Sequence, residues 1–176
     1  MDLITAIHEA GHAVADRRLF GDRSFSWGIA LVPEQDQEEQ GMDAWNMIDR
    51  LGNDDDQSTA DNDVVRCAGY AAVVAAGFSE AEAEAGCYER DYYDFRMVRG
   101  DLETAKAKAI ELMREPENVE AVKRIADELL LRRRLHGDHV GLILDLAFGE
   151  ITEQFYLQLL SARGWNNNDP TLEPEA

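Results

Sequence analysis

A chain of 176 residues with 45% hydrophobic content can build one domain around its own core. Its formal net charge of −19 opposes nucleic-acid phosphates and anionic membrane surfaces, so neither is an expected partner. No stretch approaches the roughly 20 apolar residues of a membrane span and no signal-peptide pattern opens the chain, which points to a cytoplasmic protein. Cys67 and Cys87 lie too far apart for a CxxC site and fit that compartment as buried free thiols.

The first element is a helix from about Asp2, with Asp2 or Thr5 available as caps, to Phe20-Gly21. It carries Ile7-His8-Glu9-Ala10-Gly11-His12-Ala13-Val14-Ala15, which contains His-Glu-x-x-His. Residues four apart share one helix face, so His8 and His12 can present nitrogens to a single metal ion. Glu9 stands beside the first ligand, where it can reach a metal-bound water as general base without being a ligand itself. The bland alternative is a chance pair of histidines on a helix face. Gly11 costs about 1 kcal/mol of helix propensity relative to Ala; a close approach of another backbone on that side is one return for it, and a tolerated small residue is the plain alternative.

Ser24 to Pro33 is rich in β-formers and reads as one strand, with Phe25, Trp27, Ile29 and Leu31 on one side. In a peptidase, an exposed edge of such a strand can pair with an extended substrate and set the register of its scissile bond; the plain alternative is a small structural sheet. Between Glu34 and Asp63 eleven acidic residues face the single Arg50, about half of the net charge, and this stretch reads as a solvated loop. Asp54-Asp55-Asp56 lacks the ligand spacing of a calcium loop.

Asp63 to Gly77 has an apolar centre and reads as a buried helix packed on the first one. Ser79 caps a short segment from Glu80 to Ala85, and Tyr88 to Gly100 has no clear pattern. Asp101-Leu102-Glu103-Thr104-Ala105 opens a helix running to about Arg114, stopped by Pro116, with Asp101 placed to cap it or to act in its first turn. Glu117 to Leu135 is a helix with a clear apolar face. His136 and His139 follow Arg132, Arg133 and Arg134 on a Gly-containing turn, where surface exposure is expected rather than a second metal. A last helix spans about Glu150 to Ala162, and residues 166–176 read as a flexible tail.

The string His-Glu-Ala-Gly-His-Ala-Val-Ala resembles the zinc-binding helix of FtsH-type, membrane-associated ATP-dependent zinc metalloproteases. The resemblance implies Zn²⁺ as cofactor and a third ligand, an aspartate on a downstream helix in the pattern Asp-Leu-x-x-Ala-x-x-x-Ala. Asp101, Leu102, Ala105 and Ala109 match that pattern, which assigns His8, His12 and Asp101 to the metal and Glu9 to catalysis. The family's Thr/Ser-Gly-Ala stretch before the aspartate is replaced by Met97-Val98-Arg99-Gly100, which keeps Asp94 or Asp91 as fallback ligands and Glu82 or Glu84 as weaker ones. Ile125 to Leu130, with the turn around Leu135 to Val140, also resembles that domain.

The expected fold is mainly α, a compact helical zinc-peptidase domain with about one to three short strands after the zinc helix. The resemblance implies that residues 1–165 form one FtsH-peptidase-like domain, with an acidic loop insertion expected at 34–62. No Gly-x-x-x-x-Gly-Lys-Ser/Thr loop occurs, so no ATP binding is expected, and the chain reads as a stand-alone relative of the peptidase domain. The expected function is zinc-dependent hydrolysis of peptide bonds in unfolded or flexible polypeptides. Two alternatives stand beside it: a zinc-binding domain without proteolytic activity that regulates or binds a partner, and a helical domain whose histidines bind nothing. The family's ring assembly leaves an oligomer open.

Overall fold

The computed structural model describes residues 2–21, 24–31, 44–50, 56–87 and 95–165. The protein is mainly helical with a small antiparallel sheet. Helix α1 (Asp2–Phe20) leads into strands β1 (Ser24–Leu31) and β2 (Ala44–Arg50). Helices α2 (Asp56–Ala75), α3 (Glu80–Cys87), α4 (Leu102–Met113) and α5 (Pro116–Arg132) follow, then β3 (Arg134–His136), α6 (Gly137–Ala147) and α7 (Glu153–Ala162).

α1 is the central element. Ala6, Ala10, Val14 and Ala15 are fully buried, and α1 packs against α2, α5 and the sheet. Small side chains dominate its contact with α2, where Ala68, Ala71 and Ala72 are buried, so the two backbones approach closely. Thr5 lies inside the helix and is buried, not at its cap. α5 covers another side with Ala121, Val122, Ile125, Ala126 and Leu129 at helical intervals. Fully burying each of the larger ones is worth about 1.5–3 kcal/mol.

α2 starts at Asp56, seven residues before the expected Asp63, so that acid lies within the helix. α3 begins with a capping box: Glu82 N–H donates to Ser79 Oγ at 3.2 Å, and Ser79 N–H donates to Glu82 Oε2 at 2.8 Å. α5 stops at Arg132, short of Leu135. Arg133 takes a left-handed conformation (φ 64°), and the chain turns into β3.

The sheet order is β2-β1-β3. The segment expected as an acidic loop at 34–62 therefore contains a strand, β2, and the start of α2. Trp45 and Ile48 are β-formers that the acidic count hides. β1 pairs with β2 from Ser24↔Arg50 to Leu31↔Ala44, with a bulge between Ser26 and Gly28 that leaves Trp27 as the extra residue. The register shift there interrupts the regular alternation expected along this strand. Ile29, Ala30 and Leu31 are all buried, because α1 and α6 both cover this half of the strand.

β1 is also central, since β3 pairs with it from Gly28↔His136 to Ala30↔Arg134. The open edge expected there is closed over these residues. Gly28 (φ 150°) is required by that pairing: a Cβ there meets Leu135 O at 2.7 Å. Among the described residues, no helix is long and apolar enough to cross a membrane. Cys67 is buried. Most of the acidic stretch before β2, Asp91, Asp94 and the tail at 166–176 lie outside the described residues.

Candidate metal centre

His8, Glu9 and His12 are brought together by α1 alone. Helical spacing stacks the two histidines on one face, and their Nε2 atoms approach to 3.0 Å with the rings edge-to-face. Two nitrogens bound tetrahedrally to one Zn²⁺ at about 2.0–2.1 Å stand about 3.3 Å apart, so this pair fits two positions of a zinc site. His8 and Glu9 are buried and His12 is half-buried.

α2 sets the orientation of both rings. His12 Nδ1 lies 2.8 Å from Val65 O. A carbonyl only accepts, so Nδ1–H donates to it, and the neutral ring keeps its lone pair on Nε2. That lone pair is the one turned toward His8. The His8 ring is held differently. It occupies the space above Gly69, where a Cβ comes within 2.3 Å of its Cε1 and 2.6 Å of its Nε2. Gly11 makes the crossing possible: a Cβ there meets both Ala68 O and Ala72 Cβ at 2.6 Å, the close approach its place in the helix implied.

Comparison with protein-family models and with curated proteins finds no match to this chain. The site therefore stands on its own geometry and on the motif.

Asp101 is the N-cap of α4 and is exposed. Thr104 N–H and Thr104 Oγ1–H both donate to Asp101 Oδ1, at 2.8 and 2.6 Å. The hydroxyl first and the amide second hold its carboxyl below the usual carboxylate range. The cap uses one oxygen, and Oδ2 has no hydrogen-bond partner among the described residues. No group of three His, Cys, Asp or Glu side chains converges as a metal site among the described residues, so Asp101 is not assembled with the histidines in this arrangement. Of the fallbacks, Asp91 and Asp94 lie outside the described residues. Glu82 is exposed and committed to Ser79, and Glu84 is exposed.

His136 and His139 form no joint site. His136 is exposed and its Nδ1 caps α6 by accepting from Asp138 N–H. His139 differs from its expected exposure: it is 2% exposed, 3.2 Å from the Tyr156 hydroxyl and stacked on Trp165. Helix α6 turns it inward one turn after His136. Burial pushes its pKa down to about 4 and that of Tyr156 up to about 12.

The residues that orient the histidines, Val65 and Gly69, and the buried Asp63 near them were not singled out from sequence. The one visible trace is the small-residue run Ala68-Gly69 with Ala71-Ala72, which suits a close helix crossing.

Proposed function

We propose that the chain is a zinc-dependent metalloendopeptidase acting on unfolded or flexible polypeptides in the cytoplasm. The observation that carries this reading is the 3.0 Å approach of His8 and His12 Nε2, with the His12 tautomer set by Val65 O. Support also comes from Glu9 in the His-Glu-x-x-His slot, from the resemblance of the string to the FtsH-type zinc helix, and from Asp101 opening α4 with only Oδ1 engaged among the described residues.

In this reading His8 and His12 hold the metal through Nε2, and Asp101 is the third ligand. Zinc, when bound, lowers the pKa of a coordinated water toward about 7 and polarises the scissile carbonyl. Glu9 takes the proton of the attacking water and passes it to the leaving amine, a role worth about 10²–10⁴ in rate. The small side chains around the α1–α2 crossing let the two helices approach closely, which seats the His8 ring over Gly69.

A second reading is favoured by one observation: no third donor converges with the pair among the described residues. In that reading the domain binds zinc without turnover and serves a partner. The deciding experiment compares wild type with Glu9→Gln on a diverse library of unstructured peptides, after zinc loading. Cleavage by wild type and its loss in Glu9→Gln supports the peptidase. Bound zinc with no cleavage by either protein supports the second reading, and a chain that binds no zinc overturns both.

A further inference from the structure

A carboxylate inside a helix is expensive to bury unless several donors meet it, and Asp63 meets three. It sits within α2, 4% exposed. Arg66 Nη1 donates to its Oδ1 at 3.1 Å, Arg99 N–H to the same oxygen at 3.0 Å, and Gly100 N–H to Oδ2 at 2.8 Å. Arg66 also donates to Met97 O, so the segment Met97–Gly100 is tied to α2 through both its carbonyl and its amides. The fit is close at Gly100, where a Cβ stands 3.2 Å from Asp63 Oδ2.

Two features give this clamp a bearing on the metal site. The clamped residues immediately precede Asp101, and they are the same four that replace the Thr/Ser-Gly-Ala stretch of the resembled family. The clamp also stands on the helix that orients His12 through Val65 and seats His8 over Gly69. One helix thus holds both histidines and the approach to the aspartate.

The geometry points to Asp63 as a positioning residue of the metal centre, fastening Met97–Gly100 to α2 so that the start of α4, where Asp101 stands, is held to the helix that orients His8 and His12. Asp63 is not itself a ligand, because both of its oxygens are taken by donors. Arg66 completes the device by neutralising the buried charge while holding the Met97 carbonyl. The inference rests on Asp101 being the third ligand.

The test uses Co²⁺ alone as a spectroscopic substitute for zinc, titrated into the full chain and followed by its visible absorption. Wild type, Asp63→Ala, Asp101→Ala, the double variant and His12→Ala are compared, with thermal unfolding recorded for each. Removing a group that orients a ligand typically costs 10–100-fold in metal affinity. The expected result is a loss of that size in Asp63→Ala, a cobalt spectrum matching that of Asp101→Ala, and no further loss in the double variant.

Wild-type affinity in Asp63→Ala beside a weakened Asp101→Ala overturns the positioning role and leaves the ligand assignment standing. An equal further loss in the double variant overturns it too, since it marks a general effect on folding. Wild-type affinity in Asp101→Ala, with binding abolished in His12→Ala, overturns the ligand assignment and this inference together. Should Asp63→Ala fail to fold, Asp63→Asn, which keeps the shape and one acceptor, is read in the same way.

Discussion

The imidazole of His8 lies where a side chain at Gly69 would have to go. A Cβ at Gly69 stands 2.3 Å from His8 Cε1 and 2.5 Å from its Nδ1, well inside contact distance. The His8 ring is therefore positioned by an absence of atoms on the neighbouring helix. Gly69→Ala is expected to push the ring off the His12 axis and weaken metal binding by about tenfold or more, in line with the loss of ligand orientation. Competition against a chromophoric zinc chelator measures this, and unaltered affinity overturns it.

Gly11 serves the same crossing from the α1 side. Replacing it by Ala gains up to about 1 kcal/mol of helix propensity but forces a methyl against Ala68 O and Ala72 Cβ, both at 2.6 Å. Overpacking of this kind costs about 1–3 kcal/mol, so Gly11→Ala is expected to be net destabilising in urea unfolding. A more stable variant would show that the helices can move apart freely.

Metal and fold are coupled if the His pair binds as proposed. Zinc at a hundredfold above its dissociation constant adds about 2.7 kcal/mol to stability, a rise of roughly 5–10 °C in Tm for a domain of this size. His12→Ala is expected to abolish the rise, and treatment with EDTA to reverse it in wild type. Differential scanning fluorimetry in both states decides the point.

His139 makes stability depend on pH. Its folded pKa of about 4 lies below its ordinary 6.5, chiefly because of burial, with Glu128 and Arg132 acting in opposite directions. The unfolded chain therefore takes up a proton on acidification before the folded chain does. The contribution of neutral His139 is complete above about pH 6.5 and is lost as pH falls toward 4, by about 3 kcal/mol at 1.36 kcal/mol per pH unit. Urea midpoints from pH 7 to 4 should fall more steeply for wild type than for His139→Gln. Parallel profiles would remove His139 as the cause.

The sequence carries α1 almost in full, because helical periodicity, the His-Glu-x-x-His spacing and Gly21 are all local. The same holds for the capping box at Ser79 and the start of α4 at Asp101, where short polar side chains bond to amides three residues on. Strand β2 was hidden by composition: its β-formers stand among acids that dominate any count over the segment. The arginines and Gly137 beside His139 suggest a surface turn, whereas its burial depends on Tyr156 and Trp165 arriving from later in the chain.

His8, Glu9 and His12 follow from spacing on one helix, so their nearness is settled by residues four apart. Their orientation is not local. It depends on a carbonyl at Val65 and an empty position at Gly69, more than fifty residues away, and neither a backbone oxygen nor a missing side chain leaves a signature in the motif. The tie from Asp63 to Arg99 and Gly100 is of the same kind: a side chain meeting amides across 36 and 37 residues, which only the packing of α2 against the approach to α4 brings together.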